Sequence, residues 1–367
     1  MYIMQLYTFR KLRKEKIRME LLKKLCETPG ISGYESLVRT VVKEELESLC
    51  DKVEIDRLGS VIGLKKAVTH EQASKKKKIM LAAHMDQIGF LVKSIDSKGY
   101  IRFARVGGFD PKTLVAQRVI VHGKKNMVGV IGSKPIHVLE EAEKKKAPDF
   151  KDFYIDVGLG KKEVEDLIQP GDFITFDRDF IRMNDKIVTS LALDNRVGVY
   201  VIIEALRRVR NNQVDIYAVA TSQEEVGLRG ATTSSYAIEP DIGIALDVTI
   251  AMDTPGIKEE EKCCELGKGT AIAVMNSSMI AHRGLCNFLK ELANENKINY
   301  QMDIMERGGT DAGSIQKARC GVITGGISIP SRYIHSVVEM CHIDDIEATI
   351  QLLVCFLENI HRADFLK

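Results

Sequence analysis

The sequence predicts an α/β protein: a central mixed sheet flanked by helices, interrupted by a small inserted β-barrel or sandwich. Three observations predict it. The run "IMLAA" at 79–83 is continuously apolar, as a strand covered on both faces requires. From about 90 to 187, short β-type runs punctuated by glycine replace any helical period. After "LALDNRVG" (191–198), strand-like and helix-like segments alternate again.

Taken in order, residues 1–18 are basic but lack an apolar core of signal-peptide length and a small-residue cleavage site. They read as an N-terminal extension, with the folded protein starting near Met19. Leu21, Leu22 and Leu25 carry a helical period, which Pro29 and Gly30 break. A second helix is expected from about 36 to 50, loosely capped by Ser36. "KVEIDRLGSVIGLKK" reads as a hairpin turning near Leu58 and Gly59. The buried strand before His84 follows. "FLVKSI", "YIRFARV", "QRVIVHG", "MVGVIG" and "DFITF" are the β runs of the insert, placed at 90–187. Residues 19–89 and 188–367 then form one domain around it. Residues 195–209 have a helical period. "DIYAVAT", "DIGIALDV", "GTAIAVMN" and "CGVITGGIS" read as strands, and "GLCNFLKELANEN" and "IDDIEATIQLLVCFLENIHR" as amphipathic helices.

Composition narrows the partners. The chain has 367 residues, 45% of them hydrophobic and 28% charged, which suits a globular protein with a large core. A net charge of +2 sets up no field that would select nucleic acid or a membrane surface, so neither is expected as partner. No stretch approaches the ~20 apolar residues of a membrane span. Eight cysteines occur without a C-x-x-C pair, which argues for free thiols in a reducing cytoplasm rather than a zinc ribbon or disulfide staples.

The chemistry-bearing residues gather at strand ends. His84 and Asp86 follow "IMLAA"; Glu224 and Glu225 follow "DIYAVATS"; Asp247 ends "DIGIAL"; His335 lies beyond "CGVITGGIS"; Asp194 opens a helix. Ligands in open α/β sheets bind at the carboxyl ends of strands, so these groups converge if the strands are parallel. Histidines and carboxylates together suit a divalent metal such as zinc, cobalt or manganese. Two metals need a bridging carboxylate, for which Asp194 is the natural candidate. Each group also has a bland explanation. A lone histidine after a strand is usually structural, and Asp194 on local grounds would cap its helix.

Six segments decide the matter together: "AAHMDQIGF", "LALDNRVG", "TSQEEVGLRGA", "ALDVTIAMDTPG", "ERGGTDAG" and "GISIPSRYIHS". In this order and spacing, over roughly 19–362, the chain resembles the M42 metallo-aminopeptidases, the family of glutamyl, deblocking and tetrahedral aminopeptidases. The resemblance implies the dinuclear-metal aminopeptidase fold, with the insert as a small β-barrel dimerisation domain. It implies two divalent ions per subunit, zinc or cobalt. His84 and Asp247 would bind one, Glu225 and His335 the other, and Asp194 would bridge them. Asp86 would hold His84, and Glu224 would be the general base that takes a proton from the attacking water and delivers one to the leaving amine. Peptides would be the substrates, and the chain would assemble into a homo-oligomer, a dimer or a tetrahedral dodecamer.

Two departures stand beside the site. Gln87 and Asn195 occupy positions where many relatives carry Glu and Asp. Thr310 and Asp311 fall near the site with no assigned role. Alternatives of other classes are an endoglucanase-type glycoside hydrolase, a related dinuclear deacylase or carboxypeptidase, and a silent peptide-binding protein. A chain without Trp is poorly equipped for a sugar-stacking cleft.

Overall fold

The computed structural model describes residues 19–68, 77–363 and 365; the extension expected at 1–18 lies outside them. In chain order the strands are β1 (Lys52–Ile55), β2 (Val61–Lys65), β3 (Lys78–His84), β4 (Gly89–Ile95), β5 (Ile101–Val106), β6 (Arg118–His122), β7 (Asn126–Gly132), β8 (Tyr154–Asp156), β9 (Phe173–Phe176), β10 (Ile181–Arg182), β11 (Ile187–Ser190), β12 (Asp215–Thr221), β13 (Ile242–Ile250), β14 (Thr270–Met275), β15 (Tyr300–Ile304), β16 (Ile323–Arg332) and β17 (Glu339–His342). Eleven of them form one sheet. Its main path is β1-β2-β12-β3-β13-β16-β17-β11-β10, with β14 joined to β16 and β15 to β14. The other six close into a barrel, β4-β5-β8-β7-β6-β9. The central four strands, β12, β3, β13 and β16, run parallel, and antiparallel neighbours flank them.

The apolar run in β3 is explained by what covers it. Side chains alternate across a strand, so Ile79, Leu81 and Ala83 enter the main core while Met80 and Ala82 enter a smaller cluster on the opposite face. Both faces are therefore dry, and each fully buried aliphatic side chain contributes about 1.5–3 kcal/mol. The helix Leu193–Arg208 lies on the main-core face and is buried along almost its whole length. Gly198 permits that approach: a Cβ there would stand 2.8 Å from the Leu246 carbonyl oxygen on β13 and 2.3 Å from Asn195 Oδ1. Arg207 and Arg208 occupy its last turn, where cations suit the helix dipole. The barrel has its own core. Phe90 packs there on Phe103, Phe109 and Phe176, with ring centroids 4.8, 4.7 and 5.4 Å away.

Local details differ from the sequence reading for identifiable reasons. The second helix is Ser36–Glu47, and its N-cap is Glu35, not Ser36. The Glu35 carboxylate is drawn away by tertiary contacts: its Oε1 accepts the N–H groups of Gly33 and Gln223 at 2.8 and 3.1 Å. Asp247 does not end β13, which continues to Ile250. What stops is the pairing with β3, at Ala245, and β13 runs on against β16 alone. Strand β8 is only three residues long and went unread, yet it pairs with β5 and β7 to close the barrel. No helix among the described residues is long and apolar enough to cross a membrane.

Candidate metal centre

The parallel strands deliver the predicted groups to one edge. His84 is the last residue of β3 and pairs in register with Thr221, the last residue of β12. Glu224 and Glu225 follow β12 on a tight turn whose N–H groups point inward. Asp247 projects from the stretch of β13 that β3 no longer accompanies. His335 comes three residues after β16, in the left-handed region at φ 59°. Asp194 arrives from β11 at the start of the long buried helix, and its peptide bond to Asn195 is cis. Its side chain makes no cap, because it is used elsewhere.

Asp194 stands between the two histidines. Its Oδ1 is 3.1 Å from His84 Nε2 and its Oδ2 is 3.4 Å from His335 Nε2. Around His84 Nε2, Asp247 Oδ1 and Glu224 Oε2 each lie at 3.8 Å. Glu225 Oε2 lies 3.3 Å from His335 Nε2. The seven predicted residues thus divide into five converging side chains, the adjoining Glu224, and Asp86 behind them. His84 Nδ1 lies 3.0 Å from the Asp86 carbonyl oxygen and 3.6 Å from its carboxylate. A proton on Nδ1 donates to that carbonyl and leaves Nε2 free to act as a ligand. The Asp86 carboxylate has a further task. It accepts Ser32 Oγ–H at 2.6 Å, Glu224 N–H at 3.0 Å and Glu225 N–H at 3.2 Å, and so holds the backbone of the glutamate pair.

Electrostatics show what this arrangement lacks by itself. Burial raises the proton affinity of Glu224, and the nearby charges of Asp247, Asp311 and Glu225 raise it further, against the opposing effect of His84. Burial likewise raises Asp247 well above the ordinary carboxylate range, with Asp194 and Asp311 adding to it. Burial alone would push both histidines down, but the surrounding acids outweigh it: His84 rises well above its usual value and His335 to about 11. Asp194 goes the other way, since the two imidazoles overcome its burial and hold it far below the usual range. Cations are the natural remedy for so many acids in one dry place. The donor chemistry fits. Imidazole nitrogen and carboxylate oxygen suit zinc or cobalt, and two ligands of one tetrahedral zinc stand roughly 3.3–3.6 Å apart. Two overlapping triads, His84/Glu224/Asp247 and His84/Asp194/Glu225, each bring their ligand atoms within 4.8 Å of one another.

Several supporting residues escaped the sequence reading. Glu339, fully buried at the start of β17, accepts Asp194 N–H with Oε2 (2.8 Å) and His335 N–H with Oε1 (3.0 Å). An acid inside the apolar run "SVVEMC" was the available signal. Asp311 accepts Thr221 Oγ–H at 2.5 Å, while its buried Oδ1 has no partner among the described residues. Burial raises its pKa to about 6. Gln87 and Asn195 are not among the converging groups and have structural partners. Gln87 Oε1 accepts Arg196 Nη2–H at 3.2 Å, and Arg196, itself fully buried, also donates to Leu25, Thr28 and Gly30 carbonyls at the end of the first helix. Asn195 donates to the Leu246 carbonyl at 2.7 Å and accepts Gly198 N–H at 3.1 Å, which an aspartate could not do in full. The cluster opens into a cleft of about 480 Å³ whose apolar wall includes Leu228, Val248, Ile250, Met305 and Ile334.

The profile of the family described as M42 glutamyl aminopeptidase matches residues 59–352. A lysyl aminopeptidase of Pyrococcus furiosus is 39% identical over 94% of this chain and 98% of its own. The solved structure of aminopeptidase APDkam598 from the archaeon Desulfurococcus kamchatkensis superposes with a TM-score of 0.89 at 41% identity, covering 94% of this chain and 95% of that one. The Pyrococcus horikoshii TET1 peptidase, which assembles into a tetrahedron or a large octahedral shell, superposes with a TM-score of 0.81 at 32% identity over 93% and 99%.

Proposed function

The chain belongs to the M42 glutamyl aminopeptidase family, and on that premise we propose how this metal-dependent aminopeptidase removes N-terminal residues from peptides. His84 and Asp247 would hold one divalent ion, Glu225 and His335 a second, with Asp194 as the ligand shared by both. One observation carries this reading: the two oxygens of Asp194 face the two histidine Nε2 atoms, at 3.1 and 3.4 Å. The ligand set admits zinc or cobalt. Bound there, the ions would polarise the scissile carbonyl and lower the pKa of water.

The chain's own groups do the rest. Glu224 lines the cleft beside the cluster, takes a proton from the attacking water and delivers it to the departing amine. Its raised proton affinity suits a group that must hold a proton between the two steps. Asp86 keeps Glu224 and Glu225 in place through their N–H groups and fixes the His84 ring. The barrel serves self-association. Val128, Val130, Ile136 and Val138 are exposed on or beside its strands, an apolar surface that pairing of two chains would cover. Dimers formed there would build a dodecamer of the tetrahedral kind.

Glycoside hydrolysis is disfavoured by the same geometry. It needs two carboxylates opposed across a sugar, whereas these acids gather around two histidines in one cluster. The test is hydrolysis of free-amine and N-blocked aminoacyl-p-nitroanilides by protein stripped with chelator and reloaded with zinc or cobalt. Metal-restored cleavage of the free-amine substrates alone is expected. Cleavage of the N-blocked substrates would point to a deacylase, and activity that survives stripping would sink the metal reading.

A further inference from the structure

A second group of metal-ligand type lies outside the dinuclear cluster. Cys263 and Cys264 are adjacent in the segment that follows β13, and Asp303 is on β15. Their two sulfurs and a carboxylate oxygen lie within 4.8 Å of one another. None of the three takes part in the mechanism above.

The surroundings hold these groups in place. Cys264 forms a bridge with Ala251, and its carbonyl accepts Met252 N–H at 2.8 Å. The next residue, Glu265, exchanges two hydrogen bonds with the Gln301 side chain, at 2.9 and 3.0 Å. Gln301 and Asp303 are two apart on one strand, so they share a face. The cysteine segment is thereby pinned to the strand that presents the carboxylate. Rigid support of this kind keeps soft ligands converged.

The carboxylate itself is anomalous. Asp303 is 3% exposed, and among the described residues its Oδ1 meets no partner in hydrogen-bond geometry, while Thr249 and Cys263 lie close enough to favour its charged form against burial. A buried carboxylate oxygen without a well-placed donor is rare in folded proteins and calls for an explanation. Here it sits beside two thiols. Cys263 is partly exposed and gives an ion a way in, while Cys264 and Asp303 are buried. Cys263 Sγ also lies 3.6 Å from the Ile250 carbonyl oxygen.

We propose that Cys263, Cys264 and Asp303 form a separate mononuclear site for a thiophilic divalent cation of the zinc or cadmium class. The ion binds as both thiols release their protons to solvent, and neither sulfur is oxidised. Thiolate ligands distinguish the site from the dinuclear centre, whose donors are nitrogen and oxygen only. Ile250 and Thr249 belong also to the wall of the cleft, so the site lies directly behind the substrate chamber.

Cadmium is the probe. The full-length protein is titrated with Cd²⁺ under reducing conditions while the near-ultraviolet thiolate-to-cadmium charge-transfer band is recorded. Ions at histidine and carboxylate give no such band, so the readout does not depend on the aminopeptidase reading. The expected result is a band that saturates at one thiolate-bound ion per chain. It disappears in the Cys263→Ser/Cys264→Ser variant and is kept in Cys320→Ser, which removes an exposed thiol elsewhere. Asp303→Asn should weaken the band's affinity about 10-fold or more. In wild-type protein, cadmium should also protect Cys263 from alkylation while Cys320 still reacts, a check that needs no variant to fold. A wild-type chain without the band, a band that persists in the double variant, an affinity unchanged in Asp303→Asn, or equal alkylation of Cys263 with and without cadmium would overturn the proposal.

Discussion

Asp86 Oδ1 accepts the backbone N–H of Glu224 at 3.0 Å, joining the loop after β3 to the turn after β12. The other carboxylate oxygen accepts Glu225 N–H and Ser32 Oγ–H. One buried acid therefore fixes both glutamates through their main chain. Asp86→Asn would put a donor amide where N–H groups already point. Metal content and kcat/KM should both fall, by about 10–100-fold in affinity. Metal analysis alongside steady-state kinetics checks it; a variant with full metal and unchanged kcat would show that the turn holds itself.

Glu224→Gln keeps the shape of the side chain and removes the proton acceptor. We expect bound metal and oligomeric state to be retained and kcat to drop by about 10²–10⁴-fold. Near-wild-type turnover would exclude Glu224 as the base.

Glu339 acts at one remove, gripping Asp194 and His335 by their N–H groups. Glu339→Gln leaves one of those donors facing another donor, at a cost of about 1–3 kcal/mol. Metal affinity should fall about 10–100-fold, measured by competition with a chromophoric chelator. If affinity were unchanged, the two ligands would be held by other means.

Gly198→Ala tests the packing of the buried helix on β13. The new methyl meets a backbone carbonyl at 2.8 Å, so either the helix or Leu246 must move. A loss of roughly 1–3 kcal/mol is expected in urea unfolding. Because Leu246 precedes Asp247, metal affinity should fall with it.

Asp253 supplies a pH-dependent contribution outside the metal-ligand cluster. Burial alone would raise its pKa, but Arg332 donates to both its oxygens at 2.6 and 2.7 Å, Leu266 N–H adds a third bond, and the net shift is downward. A depressed acid stabilises the fold above its unfolded pKa, and that stability is lost as pH falls through the folded value. Wild-type protein should therefore exceed Asp253→Asn in urea midpoint near neutral pH, and the gap should close on acidification below about pH 4. A gap independent of pH would mean that charge is not the source.

The metal edge was legible in the sequence because ligands must be particular residue types at particular strand ends, and β3, β12, β13 and β16 could each be read from their apolar runs. Parallel pairing then did what the sequence could only make conditional: it brought His84, Glu224, Glu225, Asp247 and His335 together. Glu339 was not legible. It works through backbone N–H groups that any residue would provide, and its partner Asp194 is distant in the chain. Glu35 was hidden for the same reason, and Ser32 because its side-chain partner Asp86 is distant in the chain. Strand β8 carries too few residues for a period to show, and Asp247 looked terminal because a β-run does not reveal how far each neighbour accompanies it.

Between His84, the last residue of β3, and Gly89, the first of β4, only four residues intervene, all buried, and Asp86 is one of them. The barrel therefore hangs from the catalytic edge by a strap that has no slack. A hinge needs residues free to rotate, and here each is already committed to packing or to a hydrogen bond. If chains associate through the barrel as proposed, any tilt imposed on it would pull on the same few bonds that set the angle of the His84 ring. The proposed quaternary contact and the geometry of a single imidazole would then be mechanically in series.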